Sequence, residues 1–248
     1  MYADFALVYD RLMAEVDYVS WAELYKNLLF KRNIKNGASI VECACGTGNL
    51  SIPLSEYFSV SGVDISEDML SVAHSKARSH GKRINFIRQD MRELFFHKKQ
   101  DAVLATCDGV NYLDSKGFIC FLESAYKLLN FDGVIAFDVS TPYKLKEILG
   151  NNTFTLVEDD ICYIWQNFWN EDERKTLLSL DIFTKTGDKY LRIKEEQQQW
   201  AHNTNFIEKS LENADFAEIE FCNIQGEKFS QSDERIFAVA VKRRNNYE

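Results

Sequence analysis

From residue 38 onward, short apolar runs alternate with stretches in which apolar residues recur at helical spacing. Ala38–Cys43, Val60–Val63, Ile84–Arg88, Asp101–Thr106 and Val134–Val139 read as strands. Between them Leu50–Phe58, Ser66–Ser79 and Lys116–Leu129 read as helices. The second of these opens on an N-cap serine followed by Glu67 and Asp68, and the third is closed by Asn130–Gly133. Strands alternating with helices build βαβ units and a parallel sheet. Residues 1–36, with Tyr2, Phe5, Tyr9, Tyr18, Trp21 and Tyr25 among acids, read as a helical cover.

Beyond about residue 150 the pattern changes. Thr153–Val157, Cys162–Trp169, Thr176–Thr184 and Tyr190–Trp200 are strand-like runs with no helix between them, and Thr186-Gly187-Asp188 supplies a turn. Leu178, Leu180 and Ile182 alternate with Ser179, Asp181 and Phe183, the pattern of a half-buried antiparallel meander. A helix near Asn205–Ala214 and strands near Ile219–Asn223 and Ile236–Lys242 follow, the strands returning to the parent sheet. The expected fold is α/β: a doubly wound, mostly parallel Rossmann-like sheet from residues 1–150 and 203–248, with an antiparallel β insertion at 151–202.

Composition narrows the function. The 248 residues are 46% hydrophobic and 27% charged, ordinary globular values. A net charge of -9 argues against a nucleic-acid surface, and the basic cluster Lys242-Arg243-Arg244 reads as a solvated tail. No apolar run is long enough to span a bilayer, and the N-terminus lacks the order of a signal peptide, so no membrane contact and a cytoplasmic setting are expected. Six cysteines lie mostly inside apolar runs, where they act as small hydrophobes. Cys43 and Cys45 have no second pair or histidine to complete a metal site, so none is expected.

The chemistry concentrates at the strand ends. In a doubly wound sheet ligands bind beyond the carboxyl ends of the strands, and here the first strands end in Glu42, Asp64, Asp90 and Cys107-Asp108. A carboxylate at position 64 can accept both hydroxyls of a nucleoside sugar. The turn Gly46-Thr47-Gly48-Asn49-Leu50-Ser51 lacks the lysine of a phosphate loop and the third glycine of a dinucleotide site. Glu42 would repel a pyrophosphate but attract a sulfonium and an ammonium, which favours S-adenosylmethionine over NAD or ATP.

Glu42-Cys-Ala-Cys-Gly46-Thr-Gly48, Gly62-Val-Asp64-Ile-Ser66, Gln89-Asp90-Met91 and Phe131-Asp-Gly133 resemble the successive motifs of class I S-adenosylmethionine-dependent methyltransferases, over roughly residues 38–140. Tyr2-x-x-Phe5-Ala6-x-x-Tyr9-Asp10-x-Leu12-Met13 and Cys107-Asp108-x-x-Asn111-Tyr112-Leu113 are similar to a bacterial small-molecule subgroup with a meander inserted after strand five. The resemblance implies that the Ala44–Gly48 turn meets the methionine part, with Glu42 fixing the turn and the ammonium. It places Asp64 on the ribose, Ile65 and Met69 on the adenine, and Asp90 on the adenine amine with Met91 beside it. Cys107 would face the methionine end, and Tyr9 and Tyr18 would close over the cofactor. Ala44 stands where the family's commonest pattern has a glycine, which disfavours positive φ.

Methyl transfer from a sulfonium needs alignment and exclusion of water more than a base. Asp108, Asn111 and Tyr112 follow strand four and are candidates for acceptor contacts. Tyr163, Trp165, Arg192 and Trp200, on the insertion, are further candidates, and Asp108, Tyr163 and His202 are candidate catalytic groups. Glu195-Glu196 and Gln197-Gln198-Gln199 read as a solvated face. The expected activity is methylation of a small-molecule N or O atom, with the insertion a cleft wall or a homodimer contact. A nicotinamide-dependent oxidoreductase and a non-catalytic binder of the same cofactor are the rival readings.

Overall fold

In the computed structural model residues 2–243 are described; Arg244 of the basic cluster lies outside them. Two helices, α1 (Tyr2–Leu12) and α2 (Tyr18–Phe30), precede the sheet, and the Asp17 carboxylate caps α2 by accepting from the Ser20 N–H. Then come β1 (Ser39–Cys43), α3 (Ser51–Leu54), β2 (Ser59–Asp64), α4 (Glu67–Ser79), β3 (Asn85–Arg88), β4 (Gln100–Ala105), α5 (Ser115–Leu128) and β5 (Leu129–Ser140). The antiparallel strands are β6 (Thr153–Val157), β7 (Ile161–Asn170), β8 (Lys175–Thr186) and β9 (Lys189–Trp200). The chain closes with α6 (Thr204–Asn213), β10 (Phe216–Cys222) and β11 (Arg235–Lys242).

The main sheet has the order β10-β11-β5-β4-β1-β2-β3. Strands β1 to β5 pair in parallel; β11 lies antiparallel beside β5, and β10 pairs antiparallel with β11 and so runs in the same direction as β1 to β5. Alternate residues feed opposite cores: Ile40, Leu104, Ala136 and Phe237 pack with α2, α3 and α4, while Val41, Val103, Ile135 and Ala238 pack with α5 and α6. Strand order reverses between β1 and β4, which opens a crevice at their carboxyl ends. The sheet β6-β7-β8-β9 is separate, and its inner face buries Ile161, Ile182 and Ile193 against Phe5 and Ala6 of α1 and Met69 of α4.

The helix expected over Leu50–Phe58 is a single turn, Ser51–Leu54. Ser55 donates its hydroxyl back to the Ile52 carbonyl at 2.6 Å, and its N–H is shared between Ser51 and Ile52. This local bonding tightens the chain out of α geometry. A π-helical turn at Lys144–Leu149 was not foreseen; it buries Leu145 and Leu149 under the insertion. Among the described residues no helix is long and apolar enough to cross a membrane.

Candidate functional site

The crevice holds a cavity of about 450 Å³, floored by the ends of β1 to β4 and walled by α1, α2 and β9. The turn after β1 is left-handed at three alternating positions, with φ of 53° at Ala44, 53° at Gly46 and 74° at Gly48. At Gly48 an added Cβ would lie 3.0 Å from the Phe86 ring, so only glycine fits there. At Gly46 it would meet nothing within 4 Å, which leaves space over the turn for a ligand. Ala44 takes its left-handed geometry despite a Cβ, at a cost of ~1–2 kcal/mol.

Three strand-end carboxylates converge on this space. Glu42 is 1% exposed and accepts from the hydroxyls of Ser51 and, at 2.7 Å, Thr106; burial pushes its carboxyl up to about 7. Asp64 accepts from the N–H groups of Gly46 and Ser66, each at 2.9 Å, so it fixes the glycine turn and the start of α4 together. Burial raises its carboxyl as well. Asp90 accepts from Arg92 N–H and Nε, both at 2.9 Å, and the guanidinium holds it below the usual range.

The turn after β4 is held from behind. Cys107 and Asp108 both have positive φ, 52° and 64°, and their N–H groups donate to Asp138 at 2.8 and 3.0 Å. Asp138 also accepts from the Tyr25 hydroxyl at 2.7 Å and pairs with Arg235. Arg235 donates to Asp108 at 2.9 Å and stacks 4.8 Å over the Trp21 ring. Burial pushes both acids up; Arg235 overrides this at Asp108, which stays ionised, while Asp138 remains raised.

Over the turn lie Phe5 and Tyr9 of α1 and Tyr18 of α2. The position of α1 is secured by Asp10, which accepts from Thr47 Oγ1 at 2.5 Å and Asn49 Nδ2 at 3.0 Å and pairs with Lys76 of α4 at 2.5 Å. One aspartate therefore ties α1, the glycine turn and α4 together.

Of the twelve residues expected at the cofactor, eleven line the cavity: Tyr9, Tyr18, Glu42, Ala44, Gly46, Asp64, Ile65, Met69, Asp90, Met91 and Cys107; Gly48, in the same turn, does not. Of the acceptor candidates, only Tyr112 and Trp200 reach it. Asp108 turns back to Arg235 and Ser140, and Asn111 is fully buried, donating to the carbonyls of Ser140 and Trp200. Tyr163 packs beside Ile182 and Ile193, Trp165 packs on Phe154 with Leu145 and Leu149 below, and Arg192 pairs with Asp181. His202 stacks on Phe118 and Phe206 and meets the Leu113 carbonyl at 2.9 Å; burial lowers its imidazole. The three catalytic candidates Asp108, Tyr163 and His202 are thus packing or ion-pair residues outside the cavity.

The sequence reading missed Thr47, Asn49, Thr106 and the β9 wall, where Glu196, Gln197 and Gln198 all line the cavity. The Tyr112 hydroxyl donates to Gln197 Oε1 at 2.8 Å. The sequence carries no signal for this wall, because residues 194–199 are uniformly polar; the burial of Glu195 and Gln199 between exposed neighbours exists only in the folded strand.

Nucleoside geometry at the sheet's switch point and a lysine-free turn define a class, and comparison with known proteins agrees. A family model described as a methyltransferase domain matches residues 40–133. The chain is 36% identical over 219 residues to YqeM of Bacillus subtilis (strain 168), provisionally named a methyltransferase, covering 87% of this chain and 86% of that one. The crystal structure of an S-adenosylmethionine-dependent methyltransferase from Clostridium acetobutylicum ATCC 824 covers 98% of this chain and 99% of its own, with TM-score 0.89 and 30% identity. The sugar N-methyltransferase KedS8 from Streptoalloteichus sp ATCC 53650 shares the fold, with TM-score 0.77 and 17% identity over 96% of this chain and 93% of that one. The chain belongs to the class I S-adenosylmethionine-dependent methyltransferases.

The residues fit that cofactor. Asp64 keeps unused lone pairs, and the space over Gly46 is open. The nicotinamide reading is set aside.

Proposed function

We propose that the chain transfers the methyl group of S-adenosylmethionine to a nitrogen or oxygen of a small molecule. In this reading Asp64 takes the ribose hydroxyls, Ile65, Met69 and Met91 pack on the adenine, and Asp90 accepts from its amine. Glu42 and the Ala44–Gly48 turn hold the methionine end, opposite Cys107. Residues 1–150 and 203–248 form the cofactor domain and 151–202 the acceptor wall. Bound S-adenosylmethionine supplies an electrophilic methyl on a sulfonium. The protein's part is to align an acceptor with it and to keep water out under Phe5, Tyr9 and Tyr18.

One observation carries the reading: the charge balance of the cavity. Glu42, Asp64, Asp90 and Glu196 line it, and among the described residues Arg92 is its one cationic lining side chain, already paired with Asp90. Such a space favours a cationic nucleoside and disfavours phosphates. It equally disfavours anionic acceptors, which leaves neutral molecules and amines. That KedS8 is named a sugar N-methyltransferase supports a polar small molecule as one acceptor such a fold admits. A cytoplasmic setting fits six cysteines that are all free thiols.

The test is incorporation of labelled methyl from S-adenosylmethionine across a panel of amines, amino sugars, alcohols and carboxylic acids. The expected result is a methylated amine or alcohol and no methylated acid. Transfer confined to carboxylates would overturn the assignment.

A further inference from the structure

The strand β9 is the outer strand of the small sheet, and three consecutive residues of it, Glu196, Gln197 and Gln198, line the cavity. Successive side chains of a strand point to opposite faces, so a wall built from all three is built from the strand's edge.

The bonding state of that edge follows from the register. Thr186 and Lys189 close a hairpin across Gly187-Asp188, and at the far end the Ala201 N–H donates to the Arg174 carbonyl at 2.8 Å. In an antiparallel ladder directly opposed pairs alternate between those that exchange both hydrogen bonds and those that exchange none. Counting from either end gives the same answer: Ile193, Glu195, Gln197 and Gln199 bond to β8. The N–H and C=O groups of Glu196, Gln198 and Trp200 point the other way. The Trp200 carbonyl confirms the phase, because it accepts from Asn111 Nδ2 at 2.9 Å on the side away from β8.

We propose that this open main-chain edge at Glu196 and Gln198 is the acceptor-recognition strip of the enzyme. Each residue offers one donor and one acceptor to the cavity, and the two pairs are ~7 Å apart. Their complement is an uncharged or cationic acceptor carrying a hydrogen-bond donor and acceptor on neighbouring atoms, as amino alcohols and amides both do. Backbone groups read this pattern without adding charge, and the Tyr112–Gln197 bond closes one end of the strip. The inference rests on the small-molecule reading above and assigns the contacts that Asp108, Arg192 and His202 do not make.

Proline tests it, since it deletes one N–H and is tolerated on a strand edge where that N–H is not in the ladder. In ¹⁵N-labelled protein saturated with S-adenosylhomocysteine, D-glucosamine, N-acetylglycinamide and, as anionic control, D-gluconate are titrated. The Glu196 and Gln198 amide resonances should move with glucosamine or with N-acetylglycinamide, which tells the two chemistries apart, and not with gluconate. Gln198→Pro should weaken the bound probe ~10-fold, about one neutral hydrogen bond, with S-adenosylhomocysteine affinity unchanged. Tyr190→Pro, the same deletion further along the same edge and outside the cavity, should leave probe binding as in the wild type. Amides of Glu196 and Gln198 that no probe moves would overturn the proposal, as would full probe affinity in a folded Gln198→Pro. Should that variant not fold, the wild-type amide shifts decide. Failure of the wider reading would show separately, as loss of S-adenosylhomocysteine binding by the wild type, and would remove this proposal with it.

Discussion

If Glu42 holds the cofactor's ammonium as proposed, cofactor binding depends on pH, and the sign follows from its surroundings. Its carboxyl is buried among hydroxyls with no cation beside it, and burial lifts it from 4.5 to about 7. A raised acid is destabilising only when ionised, so the unliganded protein should lose stability as pH rises through the window from 4.5 to about 7. The loss is at most ~3 kcal/mol, at 1.36 kcal/mol per pH unit. An ammonium arriving beside Glu42 favours the ionised form. Affinity for S-adenosylhomocysteine should therefore fall on acidification, roughly 25-fold between about pH 7.5 and 5.5, as the ionised fraction drops from about three-quarters to about one-thirtieth. Isothermal titration across that range gives the slope. Glu42→Gln should bind more weakly at neutral pH, show a flattened profile and, unliganded, be more stable at about pH 8 by up to ~3 kcal/mol. A flat wild-type profile, or the wild-type slope persisting in Glu42→Gln, would refute the reasoning.

Asp64→Ala removes the acceptor of two backbone N–H groups as well as the proposed sugar contact, so S-adenosylhomocysteine affinity should fall ~100-fold or more by titration calorimetry. Asp10→Asn breaks the ion pair with Lys76 and slackens the α1 cover; stopped-flow fluorescence should show cofactor release ~5-fold faster, with equilibrium denaturation changed by less than ~1 kcal/mol. Arg235→Met leaves the carboxylates of Asp108 and Asp138 buried without their cation and should cost ~3–5 kcal/mol in urea unfolding.

The sheet was legible because its apolar runs are short, separated by turn residues and ended by acids; Glu42, Asp64 and Asp90 fall where the strand ends put them. The acceptor side was less legible for a physical reason. Position after a strand does not say which way a side chain turns, and Asp108 turns toward Arg235, 127 residues away in sequence. Asn111 and His202 followed the same rule, drawn by carbonyls and by aromatic faces into the core. The run Glu195–Gln199 looked solvated because its composition is polar, whereas its backbone edge, which composition does not describe, forms the wall. Nothing local could have linked Asp10 to Lys76, since that pair exists only once α1 lies across α4.

The central claim is that the carboxylate of Asp64 holds the sugar of the cofactor in the crevice between β1 and β4. A crystal structure of the complex with S-adenosylhomocysteine measures it directly. Both ribose hydroxyls should lie within hydrogen-bond distance of Asp64, with the amino-acid end over the turn at Gly46. Density for the nucleoside elsewhere on the protein, or in the crevice with its ribose away from Asp64, would contradict the account.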